Sequence, residues 1–210
     1  MGIFTMKQKK SSLFKVILSA LILFGAGFGG YKVYDTFKET SLPFDLHGKA
    51  GSASEDVKTW VNFNHDENAF SAIFPKKPDH TSRELPIPRS DNTLPYHEYQ
   101  SSEGALVASV SYTVLPDDWL KWGSSLVLKG ALKVIVGEIK GAHLVGQSSN
   151  TFKSFPALDF EHYLGDFETA GTLVLVGNTL YKVEIAYPVQ EKERAHRVLC
   201  QFVESFAPTK

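Results

Sequence analysis

Asp159 and Glu161 are two carboxylates at alternate positions in a strand-like stretch of the 210-residue chain. In extended backbone they share a face. With a third group they could bridge a cation, or they could belong to an enzyme site assembled from distant residues. The simpler expectation is a solvated strand face, and the histidines favour it. His97 with Glu98, and Glu161 with His162, are chain neighbours, so each pair points to opposite faces. The seven histidines spell no H-E-x-x-H, no H-x-H and no cysteine–histidine ligand spacing. No G-x-S-x-G turn presents a nucleophilic serine. Cys200 is the single cysteine. It can form no intramolecular disulfide, and beside an apolar helical stripe it reads as a small hydrophobe rather than a reactive thiol. No catalytic residues, no metal ligands and no cofactor are expected.

A second motif, LFGAGFGGYK at residues 23–32, places Gly25, Gly27 and Gly30 in G-x-G-x-x-G spacing. A dinucleotide turn follows a short strand and opens an amphipathic helix inside a βαβ unit. Here the glycines follow a long, uniformly apolar run, and no second βαβ strand comes after them. Lys7, Lys9, Lys10 and Lys15 precede that run, and Lys32 closes it. This is the pattern of a membrane helix with its N-terminus in the cytoplasm. A cleaved signal peptide fits less well, because glycines make a poor cleavage site. Gly25 and Gly29 also form G-x-x-x-G, a face on which membrane helices pair. The expected organisation is a cytoplasmic tail (1–12), a membrane anchor (13–34), a Gly/Ser-containing linker (35–56) and an extracytoplasmic or periplasmic domain (57–210). The protein is expected as a single-pass inner (cytoplasmic) membrane protein.

The domain must position whatever chemistry exists. Its net charge of -1 lacks the basic excess of a nucleic-acid binder, and a hydrophobic fraction of 43% supplies a core. Strand patterns occupy residues 60–63, 69–74, 96–101 and 105–115. Residues 82–87, with Pro86, read as an edge or a loop. Asp117 is placed to cap a helix over 119–139, which Gly123, Gly130 and Gly137 weaken and can break into two pieces. Strands resume at 143–152, 155–163, 172–176 and 179–186, the last two joined by a Gly177-Asn178 hairpin turn. In the last strand Tyr181, Val183 and Ile185 share one face, with Lys182 and Glu184 on the other, which reads as a sheet covered on one side. Ala195, Val198, Leu199, Phe202, Val203 and Phe206 make a clean helical stripe. The expected fold is α+β, a mostly antiparallel sheet of roughly six to eight strands packed with helices.

Two surfaces are candidates for a partner. Trp119 and Trp122 fall on the first turn of the long helix, and tryptophan is enriched in binding hot spots. Lys76 and Lys77 open the longest irregular stretch, residues 76–95, where recognition is often carried.

Four segments, in order, resemble one superfamily. FPKKP at 74–78, SFPALDFE at 154–161, LVLVGNTLYKVEI at 173–185 and FVESF at 202–206 are similar to the conserved blocks of PsbP-like domains. At Ala157, Leu158 and Thr179 the chain lacks the glycine and basic residues usual there. The resemblance covers residues 60–206 and implies an α/β/α sandwich. It also implies a non-catalytic binding or assembly module with a protein partner in an envelope assembly. A small-ligand or lipid-binding domain is the alternative.

Overall fold

The computed structural model describes residues 55–65, 69–86 and 92–209, with Leu42 and Leu46 before them. The expected cytoplasmic tail and anchor, with Gly25 and Gly29, lie outside the described residues. Among the described residues no helix is long and apolar enough to cross a membrane. Within the segment read as linker, Leu46 is buried in the core of the domain.

The short strands β1 (Val61–Asn64) and β2 (Phe70–Phe74) begin a small sheet. The main sheet follows with β3 (Asp79–Pro86), β4 (Thr93–Glu103) and β5 (Leu106–Val114). Two helices come next, α1 (Asp117–Leu120) and α2 (Ser124–Glu138). Then come β6 (His143–Phe152), β7 (Phe155–Leu164), β8 (Phe167–Val176) and β9 (Thr179–Pro188). Helix α3 (Lys192–Ser205) and β10 (Ala207–Pro208) close the chain. The main sheet has seven strands in the order β3-β4-β5-β9-β8-β7-β6, all antiparallel neighbours. The small sheet, which the sequence patterns did not foretell, has the order β1-β2-β10. The expected α+β architecture is present.

Both faces of the main sheet are covered. On one face α3 and the small sheet enclose Trp60, Phe70, Phe74, Val183, Ile185, Val198 and Phe202. On the other, α2 sets Leu128, Leu132 and Ile135 against Leu158, Phe160 and Leu173. This agrees with the sandwich that the resemblance implies and overturns the reading of the last strand as part of a sheet covered on one side. Lys182 is only 6% exposed, because the α2 stripe needs the same face of the sheet that Lys182 occupies.

Three further readings are refined. The irregular stretch 76–95 contains β3, an edge strand that Pro86 ends without disturbing an inner ladder. The long helix breaks at Gly123, whose φ of 85° few L-residues adopt, while Gly130 and Gly137 stay inside α2. Asp117 lies within α1 and makes no capping bond, and its Oδ1 instead accepts from Asn178 Nδ2 at 3.3 Å, clasping the β8–β9 turn.

One device went unread. The two-residue turn between β6 and β7 is Lys153-Ser154, both with positive φ (47° and 76°). The turn carries Lys153 Nζ to the end of α3. There it donates to the carbonyls of Glu204 at 3.2 Å and Phe206 at 2.7 Å. A cation is favoured there by the exposed carbonyl groups of the helix end.

Candidate functional site

Each face of the sheet holds one buried polar cluster. The first lies under α3. Glu161 projects from β7 and is fully buried. Its Oε1 accepts from Tyr187 Oη at 2.8 Å and from Lys192 Nζ at 2.9 Å, and lies 3.1 Å from His196 Nε2. Lys192 also binds Glu168 Oε2 at 2.8 Å. Lys192 and His196 are four residues apart, so α3 presents both on one side. Burial pushes the Glu161 carboxyl up, but the hydrogen bonds from His196, Lys192 and Tyr187 outweigh it and hold its pKa at about 2. Burial and the Glu161 charge raise the Tyr187 phenol. Chemically this is a carboxylate locked by donors, fastening α3 to β7 and β9.

Asp159 shares the Glu161 face, as the alternation required. Both carboxylates are buried rather than solvated, because α3 covers that face. Asp159 accepts from Asn150 Nδ2 at 3.1 Å, so each carboxylate has its own partners. Among the described residues no group of three or more His, Cys, Asp or Glu side chains is arranged to hold a metal ion.

The second cluster lies on the α2 face. Strand register makes it: Glu98 stands opposite Ser111, and Ser111 opposite Lys182. One row further, Ser109 stands opposite Glu184. Lys182 Nζ bonds Glu184 Oε1, to which Ser109 Oγ also donates at 3.3 Å. Glu98, only 7% exposed, receives among the described residues a single long bond, from Tyr96 Oη at 3.5 Å. The guanidinium of Arg83 lies over the Tyr96 ring at 4.7 Å. Burial raises the Glu98 carboxyl, with Lys182 opposing and Glu184 adding to the rise. Burial would lower Lys182, but Glu184, Tyr96 and Glu98 more than reverse it and the ammonium is held charged. Burial drives His162 down to about 4, so its imidazole is neutral at pH 7.

These groups floor a cleft beside α2, walled by Ile135, Ile139, Leu164 and Phe167. It holds about 70 Å³, room for a few waters. A groove between the start of α2 and the β6–β7 hairpin holds about 230 Å³, and a third cleft about 30 Å³. All three fall below the few hundred Å³ that a drug-sized ligand occupies.

Gly171 adjoins this cluster on β8. A Cβ there would lie 2.3 Å from the Val183 carbonyl oxygen and 2.7 Å from Glu184 Cβ. The glycine is what lets β9 approach β8 with Glu184 turned into the cleft.

The predicted surface residues do not converge. Trp119 is half-buried against the α2 core, while Trp122 is 73% exposed. Leu126, at the start of α2, is also exposed. Lys76 and Lys77 are exposed at the other end of the sheet, where Lys76 N–H donates to Ser101 Oγ at 3.3 Å. Ser101 pairs with Ala108 near the start of β5, whereas the α1–α2 segment follows its end. The two surfaces are thus separate. Cys200 is partly buried against the core under α3. His97 and Glu98 do face opposite ways: His97 stacks on Tyr112, and Glu98 faces α2.

Sequence reasoning missed Glu98, Lys182, Glu184 and His162 as one group. Their alternation was visible, but it matches a solvated face equally well. Only strand order brings these residues of three separate strands, β4, β9 and β7, to one cleft.

No protein-family model and no curated protein matches the chain. Among solved structures, the chain is similar to the cyanobacterial PsbP protein (CyanoP) of Synechocystis sp. PCC 6803. The identity is 12% over 77% of this chain and 96% of that chain, with a TM-score of 0.51. Two further similar structures are a Pseudomonas aeruginosa protein of unknown function, PA94, and LpqN of Mycobacterium tuberculosis, involved in cell envelope biogenesis. PA94 is 10% identical over 72% of this chain and 98% of that chain, with a TM-score of 0.41. LpqN is 16% identical over 72% of this chain and 91% of that chain, with a TM-score of 0.38. The likeness to CyanoP shows the fold, and that fold is PsbP-like.

Proposed function

We propose that this PsbP-like fold serves as a non-catalytic, extracytoplasmic domain that binds a protein partner in an envelope assembly, tethered to the inner membrane by its N-terminal helix. The observation that carries the reading is Trp122, 73% exposed beside the exposed Leu126. A large aromatic left in water costs free energy that a binding partner recovers. The lysine-flanked apolar run at residues 16–31 supports the tether and its orientation. The ionisable groups support a binding role, since Glu161 is occupied by Tyr187, Lys192 and His196, and Lys182 by Glu184.

Affinity capture from detergent-solubilised membranes tests this. The full chain is expected to retain a partner that a Trp122→Ala chain loses, with melting changed by no more than ~0.5 kcal/mol. Equal recovery with both chains, or recovery of the monomer alone, would overturn the reading. Removing residues 1–34, which keeps Leu46 for the core, is expected to release the domain from the membrane fraction.

A further inference from the structure

Two histidines meet at the β3 edge of the main sheet, on the face that the small sheet covers further in. Strand register sets His80 of β3 opposite Tyr99 of β4, and His97 of β4 opposite Tyr112 of β5. Each imidazole stacks on the tyrosine it faces. The His80 and Tyr99 centroids are 4.4 Å apart with planes at 10°, and those of His97 and Tyr112 are 4.9 Å apart at 17°. His80 and His97 are diagonal neighbours across two strands, a spacing that long or aromatic side chains bridge. Their rings meet end to end: His80 Nε2 lies 3.2 Å from His97 Nδ1, with centroids 5.5 Å apart and planes at 13°. Asp79 and Glu98, the chain neighbours of these histidines, point to the opposite face. His80 is exposed on the edge strand.

We propose that His80 and His97 bind a divalent transition-metal ion of the class that imidazole prefers, zinc or copper, through His80 Nε2 and His97 Nδ1. A metal at the usual 2.0–2.1 Å from two nitrogens 3.2 Å apart sees them at about 100°, between the square-planar and tetrahedral angles. The two nitrogens now aim at one another along a hydrogen bond, so each ring turns to bring its lone pair onto an ion set to one side. The exposure of His80 leaves it free to make that turn. Both nitrogens give their lone pairs to the metal, and the shared hydrogen passes to the other ring nitrogen of the imidazole that carried it. Stacking on Tyr99 and Tyr112 keeps the two rings together before the metal arrives, which lowers the cost of ordering them. Imidazole donors with no carboxylate beside them select zinc or copper over magnesium or calcium. Two protein ligands leave the other positions to water, which makes an open, exchangeable site rather than a closed structural one. The histidines are 17 residues apart on two strands, so no ligand spacing along the chain reveals them. The site is independent of the partner reading above.

The test is isothermal titration calorimetry of the full chain in detergent, without an affinity tag, using Zn(II), Cu(II) and Mg(II) as separate probes. One equivalent of Zn(II) or of Cu(II) is expected to bind, and Mg(II) is not. His80→Gln and His97→Gln are each expected to weaken binding by roughly tenfold or more. His143→Gln, at another exposed histidine stacked on a tyrosine, is expected to leave it unchanged. The electron paramagnetic resonance spectrum of the Cu(II) form is expected to show two imidazole nitrogens, and one in the His80→Gln form. Urea unfolding checks that each variant is folded, and the exposed His80→Gln decides the matter if His97→Gln is not. Absence of saturable binding of either metal up to about 1 mM overturns the inference. Binding indifferent to His80→Gln also overturns it. Binding weakened as much by His143→Gln marks an adventitious ion only, which overturns it as well.

Discussion

The Glu161 cluster and the Glu98–Lys182–Glu184 cluster use the same residue types on strands of the same sheet, yet they are completed differently. Glu161 has three donors at 2.8–3.1 Å, two of them from α3. Among the described residues Glu98 has one bond, at 3.5 Å. The covering helix makes the difference. α3 brings Lys192 and His196 to its face of the sheet, whereas α2 brings Ile135 and Ile139 to the cleft. A carboxylate buried under an apolar helix has to be balanced from within the sheet, and Lys182 is the ammonium that does it. The α3 cluster works as a fastener. The α2 cluster leaves a polar cleft under an apolar rim.

The largest expected effect breaks the first cluster. Glu161→Ala removes the acceptor shared by Lys192, His196 and Tyr187, leaving Lys192 on Glu168 and Tyr187 beside His196, and is expected to cost about 3–4 kcal/mol, read by urea unfolding. Gly171→Ala comes next. Its new Cβ meets backbone at 2.3 Å, so strands β8 and β9 must separate beside Glu184, at about 3 kcal/mol. A value under about 1 kcal/mol would show that the two strands have slack.

Acid sharpens the contrast. The folded pKa of His162, about 4, lies below the ordinary 6.5, so the unfolded chain binds the proton more readily. Its contribution is present above pH 6.5, falls as pH drops toward 4, and totals at most ~3 kcal/mol. The Glu161 contribution runs lower: it is held above the ordinary 4.5 and lost as pH falls toward about 2. His162→Gln is therefore expected to flatten stability against pH between 6.5 and 4 while leaving the loss below 4.5 in place. The smallest effect belongs to Glu98→Gln, under ~1 kcal/mol and of either sign, because the weakly bonded carboxyl already pays for its burial. A cost as large as that of Glu161→Ala would mean that the two clusters are equivalent.

Much of the fold was legible in residue order. The α3 stripe from Ala195 to Phe206, the Gly177-Asn178 hairpin and the helical stripe from Val127 to Val136 are local patterns with one dominant explanation. β3 was obscured by its polar composition, DHTSRELP, since edge strands are polar to avoid pairing and so resemble loops. The site was far less legible. Asp159 and Glu161 were correctly placed on one face, but that face was misjudged as wet. Lys182 and Glu184 were misjudged for the same reason. Alternation tells which residues share a side and says nothing about what lies against that side.

The sequence by itself determined the α+β class, the alternation within β4, β7 and β9, and the amphipathic face of α3, because these depend on neighbours a few residues apart. Tertiary structure decided that both faces of the sheet are covered and that Lys153 ends α3. It also decided that Glu98, Lys182 and His162 share a cleft while Trp122 and Lys76 share no surface. Those outcomes depend on strand order and register, which join residues tens of positions apart, and no local pattern encodes them.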